Sequence, residues 1–156
     1  MSSVSTFPTV LRQLLRTHQA FLSYAARHVY RLDLTLPQYD VIISLGNTTG
    51  LQPKKLGEVT LITKGTLTGV LRRLEEKGLV ERLASKKDGR SQIIRLTEAG
   101  RAIYEQTFPD HLIHINRLFD DYAAEEVSKL EADLARLHQA IIIARGDSIE
   151  ECADEY

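Results

Sequence analysis

The periodicity of the chain changes at Gly78, and this change limits the folds open to it most strongly. Before Gly78, Leu67, Val70, Leu71 and Leu74 recur at the spacing of one helix face over about Lys64 to Lys77. After it come two β-prone runs, Leu79 to Leu83 and Gln92 to Leu96, which bracket Asp88-Gly89, a dipeptide suited to a tight hairpin turn. Gly78 suits the C-cap of the helix, because only glycine enters the left-handed region without a steric penalty. The local expectation is a helix that feeds directly into a two-stranded wing.

The residues upstream extend this pattern. Pro53 opens a short helix through Leu56 and Val59, and Thr60 to Thr63 supply a brief turn before the helix that starts at Lys64. A short helix, a tight turn and a second helix with small and basic residues on its outer face make a helix-turn-helix pattern. Further upstream, Val10, Leu11, Leu14, Leu15, Phe21, Leu22, Ala25, Val29 and Leu32 predict a long amphipathic helix over about Thr9 to Leu32. Thr35, with Pro37 in the first turn and Gln38 at the reciprocal position, predicts a capping box that opens another helix through Leu45. Downstream, Thr97 caps a helix that runs through Phe119 with a kink expected at Pro109, and a last helix covers about Ala124 to Ala144. The expected fold is mainly α, a winged helix-turn-helix of about six helices with a β-hairpin wing. A single domain over 1–156 is expected, with residues 35–100 as the DNA-binding region and 4–32 and 101–145 as dimerisation helices.

Charge is distributed in support of this division. The formal net charge is −1 over 156 residues, yet residues 54–101 hold twelve Lys or Arg against six acids, and residues 102–156 hold four against thirteen. A polyanion is met by the middle of the chain and repelled by its end. On the 64–77 helix, the face opposite the leucines carries Lys64, Gly65, Thr66, Thr68, Gly69, Arg72 and Arg73. Small residues there permit close approach to a major groove, and the donors reach phosphates or base edges. In the wing, Lys86, Lys87 and Arg90 surround the turn, with Arg90 expected to enter a minor groove and Asp88 expected to orient the turn. The other reading of these residues is a surface helix with scattered charge and a solvated loop.

The apolar stripes at the two ends point to a second copy of the chain. Val127, Leu130, Leu134, Leu137 and Ile141 alternate at spacings of three and four, the seam spacing of helix against helix, and Val10 and Leu14 lie on the first helix's stripe. A two-fold pair places two recognition helices about one DNA turn, roughly 34 Å, apart and reads a pseudo-palindromic site. Packing of the same stripes within one chain is the alternative.

Other classes of function find little footing. No apolar run approaches the ~18 residues of a membrane span, and Met1-Ser2-Ser3-Val4-Ser5 lacks the basic and apolar signature of a secretory signal, so a soluble cytoplasmic protein is expected. There is no Gly-rich phosphate loop, no Gly-x-Ser-x-Gly and no identifiable carboxylate pair, so no enzyme and no cofactor are expected. His111 and His114 share helical spacing, with His18 and His28 on the first helix, but no second cysteine or His-Glu-x-x-His completes a metal set, and no metal is assigned. The single cysteine, Cys152, sits among Glu150, Glu151 and Asp154, which disfavour a thiolate and argue against a redox sensor. Tyr24, His28, Tyr39 and His111 are candidates to line a cleft for an aromatic or amphipathic acid, or else are ordinary boundary side chains.

The run from Gly65 through Arg82, followed by Asp88-Gly89-Arg90-Ser91 and Leu96-Thr97-Glu98-Ala99-Gly100, resembles the MarR family of bacterial transcription regulators. The specific motifs cover residues 61–100, while the order of helices matches from about residue 9 to residue 145. The resemblance implies a winged-helix homodimer joined by its first and last helices, usually a repressor released by a small ligand, in a bacterial or archaeal cytoplasm. It places the recognition helix on Lys64 to Arg73 and the family's Asp-x-Arg wing motif on Asp88 and Arg90, with Gly89 where many members carry a further arginine. A dimeric protein-interaction module on the same scaffold, and a metal-responsive regulator, are the alternatives.

Overall fold

The computed structural model describes residues 6–60, 62–84 and 92–146. In chain order these form α1 (Thr6–Val29) with a 3₁₀ turn over Tyr30–Leu32, α2 (Leu36–Gly46), α3 (Pro53–Thr60), α4 (Lys64–Glu76), β1 (Val80–Ala84), β2 (Gln92–Leu96), α5 (Glu98–Asn116) with a 3₁₀ turn over Arg117–Phe119, and α6 (Ala124–Arg145). This is a mainly helical winged helix-turn-helix. The chain divides into two compact units, Met1–His114 and Ile115–Tyr156.

Local chemistry sets the element ends in the first unit. At α2, Thr35 Oγ1 accepts from the Gln38 backbone N–H at 3.4 Å and the Gln38 side chain accepts from the Thr35 N–H at 2.9 Å, closing the expected capping box. At the end of α4, Gly78 adopts φ +69°. Its N–H reaches the Glu75 carbonyl at 2.8 Å and the Leu79 N–H reaches the Leu74 carbonyl at 2.9 Å, the paired bonds of a Schellman ending. Thr97 then caps α5: its Oγ1 accepts from the Gly100 N–H at 3.1 Å and donates to the Gly78 carbonyl at 2.6 Å. One threonine thus joins the start of α5 to the glycine that ends α4.

The wing strands pair antiparallel, with Val80 opposite Leu96 and Ala84 opposite Gln92. A further pairing was not anticipated. Leu51 and Ile94 exchange backbone bonds of 2.9 and 2.8 Å, which adds a one-residue bridge from the segment between α2 and α3 to β2. Tyr39, Val41, Ile42, Leu45, Leu56, Leu71, Leu74 and Ile94 are buried in the core of this unit. Gly46 is the last residue of α2. The ring of Tyr104 fills the space that a Cβ there would need.

The second unit carries α6. The Glu126 carboxylate accepts from the Ala123 N–H at 2.8 Å at the start of α6, and Gly146 ends the helix at φ +78°. Asp133 is bracketed by Lys129 and Arg136, each at 3.1 Å. Among the described residues no helix is long and apolar enough to cross a membrane.

Candidate nucleic-acid interface

The two faces of α4 differ as its sequence demands. Leu67, Val70, Leu71 and Leu74 are buried, whereas Lys64, Gly65, Thr66, Thr68, Arg72 and Arg73 are exposed and Gly69 is half-buried. Hydroxyls shape the turn that aims this helix. Thr60, buried, donates to the Leu56 carbonyl at 2.7 Å and accepts from the Ile62 N–H at 3.4 Å, and Thr63 Oγ1 donates to Thr66 Oγ1 at 3.1 Å. These local bonds end α3 and start α4 within three residues.

The polar groups of the outer face are unequally engaged. Arg72 pairs with Glu76 at 3.0 Å, an exposed pair one turn apart, and Thr68 bonds back to the Lys64 carbonyl at 3.1 Å. Among the described residues neither Lys64 nor Arg73 has an ion-pair partner. Gly65 and Gly69 lie one turn apart, and a Cβ on either meets nothing within 4 Å.

Arg82, read from the sequence only as part of the basic excess, has a structural role. It joins β1 to α4 through Glu75 at 2.7 Å and to β2 through Gln92 at 3.2 Å, so the wing is tied to the helix beside it. Arg95 and Glu81 form a cross-strand pair at 2.7 Å. Lys86, Lys87, Asp88 and Arg90 lie outside the described residues.

The four residues expected to line a cleft come together with a fifth, His114. Tyr24 stacks on His114, His28 lies beside both His111 and His114, and Tyr39 meets His111 edge-on. The rings pack on one another within the first unit. Burial lowers the affinity of His111 for a proton, reinforced by His28 and His114, and burial followed by His114 does the same to His28. Burial also pushes the Tyr39 phenol above its ordinary value. Sequence spacing gave the His111–His114 pair, but only folding reveals the partners from α1 and α2. Among the described residues no group of His, Cys, Asp and Glu is arranged to hold a metal ion.

The residues expected at a dimer interface are open to different degrees. Val10, Leu130, Leu134 and Ile141 are exposed, and Leu14, Val127 and Leu137 are half-buried.

Residues 34–92, which span α2 to the wing, match the model of the MarR family. The chain is 34% identical over 111 residues to the organic hydroperoxide resistance transcriptional regulator of Bacillus subtilis, an alignment covering 70% of this chain and 76% of that protein. The chain belongs to the MarR family. It is a transcriptional regulator of that family and not an enzyme. Among solved structures, a MarR mutant from E. coli complexed with operator DNA superposes with a TM-score of 0.75 at 28% identity, covering 88% of this chain and 99% of that one. NadR in complex with 4-hydroxyphenylacetate superposes with a TM-score of 0.67 at 26% identity, covering 82% and 91%.

Proposed function

We propose that this MarR-family regulator is a homodimeric repressor that binds a pseudo-palindromic duplex. In this reading residues 35–100 are the DNA-binding region, while 4–32 and 101–145 supply the dimerisation helices. Lys64, Gly65, Thr66, Thr68, Arg72 and Arg73 face the major groove. Lys86, Lys87 and Arg90 follow the backbone and minor groove, with Asp88 orienting the turn. Val10, Leu14, Val127, Leu130, Leu134, Leu137 and Ile141 pack against a second copy.

The pair Gly65 and Gly69 carries the reading. Glycine inside a helix costs about 1 kcal/mol relative to alanine. At these two positions nothing within 4 Å of the missing Cβ offsets that cost. A partner outside the chain that needs close approach to the backbone accounts for both, and a groove flanked by Lys64 and Arg73 is such a partner. The operator complex of the E. coli relative supports duplex DNA as its identity.

Release is assigned to a small aromatic or amphipathic acid held near Tyr24, His28, Tyr39 and His111. The aromatic acid carried by NadR supports that ligand class. Selection of duplexes from a random pool tests the DNA reading. The expected product has two half-sites about 10 bp apart, and log K falls linearly with log salt at about −0.9 per phosphate neutralised. No binding at low salt, or a site without symmetry, sinks it. Sedimentation tests the dimer directly. A panel of aromatic acids that leaves both melting temperature and DNA affinity unmoved removes the effector.

A further inference from the structure

His28 on α1 and His111 and His114 on α5 bring three imidazoles together. The His28 ring centroid is 5.4 Å from each of the other two. Tyr24 stacks on His114 at 4.1 Å with the ring planes 5° apart, and its hydroxyl donates to the His114 carbonyl at 2.7 Å. His114 Nε2 lies 3.2 Å from the Tyr24 carbonyl. Tyr39 of α2 meets His111 at 5.0 Å. Three helices therefore join at these rings, and α2 is also the helix on which α4 packs.

His111 is the centre of the cluster. It is 8% exposed, and its Nδ1 is buried without a hydrogen-bond partner, alone in this among the side-chain atoms of the described residues. A neutral imidazole can leave Nδ1 as an unused acceptor at modest cost. A protonated one must bury a charged N–H donor there with no acceptor, which costs considerably more. A second proton on His28 places a like charge one ring away. The groups facing the pair do not cancel this. Asp110 favours a charged His28, but Arg31 and His114 oppose it, and His111 is opposed by His28 and His114. Tyr39 offers His111 a ring, and its phenol is held neutral by burial.

We propose that this cluster is a proton switch on operator binding: protons taken up by His28 and His111 in mild acid drive α1, α2 and α5 apart at the joint and withdraw support from α4. The switch rests on the DNA-binding reading above. Its sign is diagnostic, because added positive charge ordinarily strengthens binding to a polyanion. Here acid weakens it.

The test uses the full chain and its selected duplex. DNA affinity is measured at about pH 7.5 and about pH 5.5, beside an NMR titration of the histidine rings. Wild type is expected to lose about tenfold or more in affinity on acidification, while His28→Gln and His111→Gln change by less than about threefold. Both cluster histidines are expected to titrate below the ordinary value of 6.5. Equal losses in wild type and variants, affinity that rises with acid, or His111 titrating at or above its ordinary value overturns the switch. Should buried His111→Gln fail to fold, the half-buried His28→Gln decides the matter alone. Absence of DNA binding at about pH 7.5 overturns the operator output, and the ring titration then reports separately on whether the cluster resists protons.

Discussion

The carbonyl oxygen of Leu79 occupies the space that a Cβ on Gly100 would need. The same carbonyl accepts from the Thr97 N–H at 3.1 Å, so it cannot move without breaking the link between the wing and α5. Gly100→Ala is therefore expected to destabilise the protein by roughly 1 to 3 kcal/mol, since backbone must shift rather than a side-chain tip. Thermal unfolding of the variant reads this as a drop in Tm of several degrees, at about 2 to 4 °C per kcal/mol. An unchanged Tm would show that the junction yields more readily than its geometry implies.

Gly65→Ala and Gly69→Ala should behave in the opposite way. Both sit inside α4 with open space where the Cβ would go, so alanine should raise stability by about 0.5 to 1 kcal/mol at each position. DNA affinity should fall in the same variants, because the added methyl intrudes where the groove must approach. Stability and affinity measured together separate the two effects. Affinity that holds or rises with Tm would remove these glycines from the interface.

Tyr39 and Thr107 form a buried hydroxyl pair whose polarity follows from its neighbours. Thr107 donates to the Ile103 carbonyl at 2.7 Å, which leaves its oxygen to accept from the Tyr39 hydroxyl at 2.9 Å. Tyr39→Phe leaves Thr107 with its bond to Ile103 and should cost about 0.5 to 1.5 kcal/mol. Thr107→Val instead strands the phenol of a residue that is 0% exposed, and about 1 to 3 kcal/mol is expected. Denaturant unfolding that ranks the two the other way would reverse the assigned donor.

How far the sequence reached depended on the range of the chemistry involved. The Thr35–Gln38 box, the Gly78 ending and the buried face of α4 are decided within four residues, and each was legible from spacing alone. The Leu51–Ile94 bridge leaves no periodicity, because a single residue on one side cannot alternate. Gly46 ends α2, and the reason no side chain fits there, the ring of Tyr104, lies far along the chain and leaves no local pattern. The histidine cluster was legible as a set of residue types but not as an arrangement. Tyr24 and His114 are 90 positions apart, and their stacking follows from where α1 and α5 run. Arg82 was read as a basic residue among others because its partner Glu75 appears only when β1 folds back beside α4.

Asp40 gives the fold a second pH dependence, with the opposite sign to that of the histidines. Its carboxyl is pushed from the ordinary 3.8 up to about 6 by burial, and among the described residues no hydrogen bond or ion pair meets it. The folded protein therefore holds this proton more tightly than the unfolded chain. The stability it contributes is complete below pH 3.8 and is lost as the pH rises through about 6. His28 and His111, with lowered values, instead lose stability as the pH falls below their ordinary 6.5. Asp40→Asn removes the buried charge, so at about pH 7.5 the variant should be more stable than wild type by roughly 1 to 3 kcal/mol. The difference should shrink to near zero at about pH 4, where wild-type Asp40 is itself neutral in the fold. Melting curves across that interval distinguish charge burial from packing. A gain of the same size at both ends would mean that the amide fits the site better than the acid, and that desolvation of the carboxylate is not what sets the stability of α2.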